Sequence, residues 1–507
     1  MTLLMGIDLG TSGIKVAVFN ENGDTLAVSS KDYIFDVPRM GYAEQDPEVW
    51  WNATVHAVRE VLTVVNAKEI AAIGLSGQMH GLVALDQGRH VVRKAILHCD
   101  QRSVDQVSYI KNTMKESFSK ITYNPPFPGF QLISLLWVKD NEPENYRKIR
   151  YVICPKDYIR FRLCGEIGVE ITDASATLAY DIEKQDWAWD MIEKLGIDGS
   201  VFPKEVHMPC DVAGTVTRDS ASLLGLSNKT KVVYGGGDQP MQLLGTGVYT
   251  PGKLTITIGT SGQIVAMTDA PVYNPALNTH TFNSAIPNKW FCMGAVLHSG
   301  STLNWFKRTF MPDKSYKQMD QMANEVDICS DGLLFFPCFA GERTPYIDST
   351  TRGIFLGMSY LHNTSHFIRA IMEGVSFGVR SNIEVLEGLN CSMDTIIASG
   401  GAAKSSVWLQ MQADIYGREL HLTETSEQTV TGAAIVASVG CGLYQNIEEG
   451  CRHMARLKKA VVEPDLRRHE IYSEFYSNVY KKIYESNKDI FRSLYDFQGE
   501  STVKDRL

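Results

Sequence analysis

The 507-residue chain lacks several features that would place it at once. There is no excess of positive charge: 49 Lys and Arg stand against 58 Asp and Glu, a formal net charge of −9. Gripping a phosphate backbone or an anionic membrane surface needs clustered cations, so neither nucleic acid nor membrane is an expected partner. No apolar run is long enough to cross a bilayer. The opening "MTLLMGIDLGTSGIKVAVF" has no basic leader and is interrupted by Asp8 and Lys15, so it does not read as a signal sequence. The ten cysteines include no CxxC pair. A chain this large needs no disulfide staples, so scattered reduced thiols in a cytoplasmic protein are the expectation. GxxxxGK[ST], a strand-linked GxGxxG and an HRD/DFG set are all missing, which removes P-loop, Rossmann and protein-kinase readings.

What is present is an ordinary globular composition, 44% apolar and 21% charged. The length exceeds what one hydrophobic core sustains and implies two or three domains. Period-two patterns predict strands over 3–9, 14–19 and 25–30, with "NENGD" turning between the last two. A helix is predicted over 44–65, capped by Asp46 with Pro47 in its first turn. Strand character returns in "IAAIGLSG" and "GLVALD". Helical patterns occupy 131–145 and 154–164, and "KVVYGGGDQPMQLLG" (231–245) reads as strand, glycine turn and helix. Further helices are predicted over 365–388, 404–416 and 468–495, with "GESTVKDRL" as a frayed end. His362 and His366 have metal-pair spacing, but "NTS" between them makes them flank a helix start. This order is α/β.

The tetrapeptide GTSG occurs twice, in "GIDLGTSGIKV" (10–13) and "TITIGTSGQIV" (259–262), each time between two apolar strands. Matched flanks point to a duplicated fold. Glycine-rich turns let backbone N–H groups approach an anion closely, and the Thr and Ser hydroxyls add donors. Two such turns can hold a polyphosphate. The copies differ at one position: Asp8 in the first falls opposite Thr257 in the second. Only the first therefore offers the carboxylate that a phosphate-bound Mg²⁺ needs.

The stretches "GIDLGTSGIK" (6–15), "GQMHG" (77–81), "GGGDQ" (235–239), "TIGTSG" (257–262), "AGERTPY" (340–346) and "RGIFLGMSYLHNTSHFIRAIMEG" (352–374) together resemble the FGGY carbohydrate kinases, over nearly the whole chain. The resemblance implies two actin-like (ribonuclease H-like) ATPase domains facing across a cleft: 1–246 with the sugar site and base, 247–485 with the adenosine site, and 486–507 as helix end and tail. It implies ATP and Mg²⁺, a small-molecule sugar and a homodimer. "GQMHG", "PKDYIRFRLCGE" (155–166) and "TDASATLAYD" (172–181) most resemble the members acting on D-xylulose, with those acting on gluconate next. An actin- or chaperone-like ATPase would share the lobes but have no use for GQMHG or GGGDQ.

By resemblance, Asp238 is the general base and Asp8 the metal carboxylate. Asp238 also stands where a helix N-cap is expected. Met79, His80 as a hydrogen-bond donor, Asp100 and Gln239 would meet the sugar. Thr11, Ser12, Gly13, Lys15 and Thr260 would meet the phosphates, and Gly300, Asn304, Gly401 and Ser405 the nucleotide. Two positions depart from the family pattern: Ser134 where a lysine is usual, and Ala402 where a third glycine is usual.

Overall fold

The apolar alternation of "LLMGIDL" and "GIKVAVF" is realised as two antiparallel strands, Leu3–Leu9 and Gly13–Phe19, in a computed structural model that describes residues 2–500. They form the centre of a mixed sheet. Its order runs Val212–Thr215, Lys231–Val233, Ile70–Gly77, Leu3–Leu9, Gly13–Phe19, Thr25–Asp32, and Gly236–Gly237 extends the pairing on Ile70–Gly77. Ile70–Gly77 runs parallel to Leu3–Leu9 and sets Ser76 beside Asp8.

The predicted helix forms as Pro47–Val61. Asp46 caps it by accepting from the Glu48 amide, and Pro47 fills a first-turn place that needs no amide donor. Its apolar stripe, Trp50, Trp51, Val55, Val58 and Val61, is buried in the core under this sheet. Each such side chain contributes roughly 1.5–3 kcal/mol relative to exposure.

The compact units interleave along the chain. The first comprises Met1–Tyr249, Met267–Phe291 and Glu427–Arg456; the second comprises Thr250–Ala266, Cys292–Ser426 and Leu457–Leu507. The late segment enters the first unit as the helix Gln428–Gly440, which packs on Asp238–Gly245 backbone to backbone. A Cβ placed on Gly432 would lie 1.8 Å from the Met241 carbonyl oxygen, so only glycine permits this approach.

The second unit repeats the strand arrangement. Gly252–Ile258 pairs antiparallel with Gly262–Thr268 and parallel with Met393–Gly400, which pairs with Leu420–Leu422. Its longest helix, Thr364–Gly388, starts at the cap Asn363, with His366 closing the capping box. His366 also contacts Asp331, and His362 contacts the Asp331 carbonyl. The two histidines thus flank a helix start, as the "NTS" signal predicts.

One prediction needs correction. The final helix is two helices, Leu466–Asn478 and Ile483–Glu500, broken at Val479. The break turns Tyr480 inward among Phe377, Phe336 and Tyr476, where it is buried. Burying that ring outweighs a few helical hydrogen bonds. Of the expected frayed end, 501–507 lie outside the described residues. No disulfide joins any of the ten cysteines among the described residues. Among the described residues no helix is long and apolar enough to cross a membrane.

Candidate active site

Asp8 ends the first strand between Lys15 on one neighbour and Ser76 on the other. Its Oδ1 is buried and makes no hydrogen bond within the protein. Burial raises its pKa, the Ser76 hydroxyl and then Lys15 oppose that rise, and Glu427 adds a little to it. Lys15 Nζ lies 2.6 Å from Glu427 Oε2. The hairpin that follows is tied down from outside: Tyr33 donates to the Gly10 carbonyl at 2.7 Å, and Thr11 Oγ1 to Gln78 Oε1 at 3.2 Å. Thr11 and Gly13 are half-buried and Ser12 is exposed.

Asp238 is the second carboxyl of this site. It is the first residue of its helix; the cap position belongs to Gly237, and no side chain caps the helix. The expectation that Asp238 doubles as N-cap is therefore corrected by one position: Gly237 holds the cap and Asp238 is the first helical residue. Burial, and next the charge of Asp8, push its pKa up to about 7, against the Gln239 amide, which lowers it. A carboxyl poised near neutrality can take a proton from a hydroxyl and release it again. Gln239 follows it, half-buried. An orphaned carboxylate oxygen beside a second carboxyl is a donor set that suits a hard divalent cation such as Mg²⁺.

The Asp238 loop is held from behind by a short, wholly buried helix, Ile171–Ala176. Gly237 N donates to Thr172 Oγ1 at 3.0 Å, and Thr172 Oγ1 donates to Glu170 Oε1 at 2.8 Å. Glu170 in turn belongs to a buried charge cluster. Lys156 Nζ lies 2.7 Å from Asp157, 3.0 Å from Asp173 and 3.3 Å from Glu170, and Arg160 also bonds Asp157. Burial pushes Asp173 up to about 8, against Lys156. Removing one partner of such a cluster typically costs about 3–5 kcal/mol, because the other charge stays buried and uncompensated.

The same helix orients His80. Its Nδ1 lies 2.8 Å from the Ala176 carbonyl oxygen, an atom that can only accept. Nδ1 therefore carries the hydrogen and Nε2 is the lone-pair nitrogen of the neutral ring. A donor role toward a hydroxyl therefore belongs to the protonated ring, in which Nε2 also carries hydrogen. The ring lies 3.9 Å, centroid to centroid, from Phe130. Met79 is buried against the Asp238 loop, where a Cβ on Gly237 would stand 2.6 Å from Met79 Cγ.

Asp100 does not join this group. It is fully buried, with Oδ2 taking the Ala43 amide at 2.6 Å and both oxygens taking Arg102. Its acceptor capacity serves the fold rather than a sugar hydroxyl. Ser134 is buried in the helix Gln131–Asn141, and its Oγ makes no hydrogen bond.

In the second unit, exposed Thr260 accepts through its carbonyl from the amides of Ser299 and Ser301, and Gly259 accepts from Gly300 at 2.9 Å. The hairpin is thus stitched to the start of the helix Gly300–Phe310, with exposed Asn304 one turn in, accepting from Tyr316 OH at 3.3 Å. "AGERTPY" clamps this junction. Glu342, pushed up to about 7 by burial, accepts from Leu297 N at 3.0 Å, and Ala340 N donates to His298 Nε2 at 3.2 Å. Gly401 precedes the tight turn Ala402–Lys404, with Ala402 buried. Ser405 caps Ser406–Tyr416 by accepting from Trp408 N at 3.1 Å. The Ser405 hydroxyl thus already serves the helix start.

Glu427 and Thr172 were not singled out from the sequence. Thr172 lies inside "TDASATLAYD", but its role depends on a contact to Gly237, 65 positions away. Glu427 carried no local signal, because its partner Lys15 is some four hundred residues earlier.

Family comparison agrees with this geometry. Residues 3–245 match the N-terminal domain and 254–441 the C-terminal domain of the FGGY family of carbohydrate kinases. The chain is 38% identical over 500 residues to the xylulose kinase of Bacillus subtilis, covering 98% of this chain and all of that one. Among solved structures it resembles a ligand-bound xylulose kinase from Lactobacillus acidophilus, with a TM-score of 0.91 at 25% identity over 97% of this chain and 100% of that one. A gluconate kinase from the same organism matches with a TM-score of 0.91 at 26% identity, over 97% of this chain and 99% of that one. These relatives carry the actin-like ATPase fold. The chain belongs to the FGGY family of carbohydrate kinases and is an enzyme that phosphorylates a sugar with ATP.

Proposed function

We propose that the sugar is a ketopentose, with D-xylulose favoured, and that Asp238 is the general base. The observation that carries this reading is the pair Asp8 and Asp238, the charge of Asp8 helping to raise the pKa of Asp238, with Met79 packed on the Asp238 loop. Ionised Asp238 takes the proton of the sugar hydroxyl as that oxygen attacks the γ-phosphorus of ATP. Phosphoryl transfer is mostly positioning and charge neutralisation, so a placed acceptor of modest basicity suffices. Asp8 holds Mg²⁺, which when bound neutralises phosphate charge. Lys15 and the turn Thr11, Ser12 and Gly13 receive the phosphates of ATP. In the second unit Thr260 is assigned to the phosphates and Gly300, Asn304 and Gly401 to the nucleotide; Ser405 acts by fixing its helix start.

Gluconate is the second reading, because a gluconate kinase matches the fold as well as a xylulose kinase does. The sequence likeness to a xylulose kinase, 38% over nearly the whole length, favours the pentulose. ATP consumption measured with pentuloses, pentoses, polyols and aldonates decides between them. D-xylulose is expected to give the highest kcat/KM and glycerol little. ATP turnover that no sugar stimulates would overturn the kinase mechanism.

A further inference from the structure

The loop that leads into Asp238 brings nothing of its own to fix its path. Gly235, Gly236 and Gly237 carry no side chains, and a run of glycines has the freest backbone a chain can offer. The first of them could hold none: at φ +76°, a Cβ on Gly235 would stand 2.3 Å from the Leu75 carbonyl oxygen. The position of Asp238 is therefore set by what surrounds the loop. Gly236 and Gly237 pair with Ser76 and Gly77, and the amide of Gly237, the residue before Asp238, is taken by the side chain of Thr172.

The direction of that bond is fixed. An amide N–H can only donate, so Thr172 Oγ1 accepts from Gly237 N at 3.0 Å and keeps its own hydrogen for another group. That group is Glu170 Oε1 at 2.8 Å, an oxygen that also accepts from the Asp173 amide at 2.9 Å. Glu170 Oε2 accepts from the Thr172 amide at 2.7 Å, so one carboxyl holds Thr172 by main chain and side chain together. Lys156 Nζ lies 3.3 Å from the same carboxyl. From the next turn, Ser175 Oγ donates to the Thr172 carbonyl at 2.8 Å and accepts from Asn283 N at 3.2 Å. Lys156, Glu170, Thr172 and Ser175 are all fully buried, a setting in which hydrogen bonds are electrostatically stronger than in water.

We infer that Thr172 is a positioning residue for phosphoryl transfer: its hydroxyl carries the fixed placement of Glu170 and Lys156 to Gly237, and so sets where the Asp238 carboxyl stands. The inference rests on the reading of Asp238 as general base and extends it to the residue that aims it. A base must lie within hydrogen-bond reach of the proton it takes. A small displacement of the carboxyl therefore costs rate, while sugar and ATP still bind. Valine has the shape of threonine without the hydroxyl; it leaves the Gly237 amide unpaired and releases the loop.

The test is a cycle of Thr172→Val and Asp238→Asn, assayed by ATP consumption with D-xylulose. Thr172→Val is expected to lower kcat about 10–100-fold, the scale of a misplaced catalytic group, with both KM values within a few-fold of the parent. Thr172→Ser, which keeps the hydroxyl, should recover most of that kcat. In the Asp238→Asn background Thr172→Val should change the residual kcat by less than about twofold, because aiming a residue that takes no proton has no consequence. A residue that merely supports the fold would instead lower the rate by the same factor in both backgrounds, and that result would overturn the inference. So would a folded Thr172→Val enzyme with kcat within about twofold of the parent while Asp238→Asn is slow, an outcome that leaves the base reading standing. Should the valine variant not fold, Thr172→Ala, which gives the loop room, takes its place with the same expectations. Near-parent turnover by Asp238→Asn would remove the base reading, and the inference with it.

Discussion

In the first unit Asp8 stands between Lys15 and Ser76 on the flanking strands; in the second, Thr257 stands between Gln263 and Ser399. The frame is the same. In the second copy Thr257 Oγ1 and Ser399 Oγ bond each other at 2.7 Å, so the strand end satisfies itself. In the first copy Ser76 faces Asp8 and lowers its pKa, yet Asp8 Oδ1 makes no hydrogen bond and a second carboxyl, Asp238, feels its charge. The turns differ too. Leu9 pairs with Ile14 in the first, leaving the whole GTSG as the turn, whereas Ile258 pairs with Gly262 in the second, one residue tighter. The same strand-and-turn frame occurs in both units, and a single side chain leaves a carboxylate oxygen without a hydrogen bond in one of them.

The comparison breaks most visibly at the base. Asp238→Asn should lower kcat by roughly 10²–10⁴-fold with sugar and ATP binding retained. Turnover within a few-fold of the parent would show that the first copy's carboxyls are not where the chemistry lies. Next in size is the metal. Asp8→Asn should raise the Mg²⁺ concentration for half-maximal rate at least about tenfold, as expected when one of few ligands is lost, while Thr257→Val leaves it within about twofold. Equal shifts in both variants would erase the asymmetry.

Stability against pH sharpens it further. The Asp238 carboxyl sits near 7 in the folded state and near 3.8 unfolded. Between those values the folded protein binds the extra proton, so stability from this group falls as pH rises toward 7. Removing the charge with Asp238→Asn should therefore widen the Tm gain over the parent between pH 5 and pH 8, and Thr257→Val should show no such trend. A gain that shrinks with pH would mean the carboxyl is stabilised as the anion. The smallest effect is Thr257→Val itself, a loss of about 1 kcal/mol for one hydrogen bond, read from denaturant unfolding. A loss of several kcal/mol would mean the second hairpin depends on Thr257 for more than its bond to Ser399.

Much of the fold was legible because its signals are local. Strand alternation at 3–9 and 14–19, the Asp46–Pro47 helix start and the Asn363 cap each depend on residues a few positions apart. The repeated GTSG announced the duplication, and the offset Asp8/Thr257 announced its asymmetry. Asp100 and Ser405 show the limit: their residue types suit ligand contact, yet Arg102 with Ala43, and Trp408, take up their oxygens.

Sequence alone determined that this is a duplicated α/β protein with two glycine hairpins, one of them acidic, and a carboxylate after a glycine turn. Tertiary structure decided the rest: that Gln428–Gly440 returns to the first sheet, that Glu427 meets Lys15, that Thr172 holds the loop of Asp238, and that His80 bonds the Ala176 carbonyl. The physical reason is range. Propensity and capping are settled among neighbours, but a hydrogen bond between residues tens to hundreds of positions apart exists only once the packing of whole helices and sheets brings them within 3 Å.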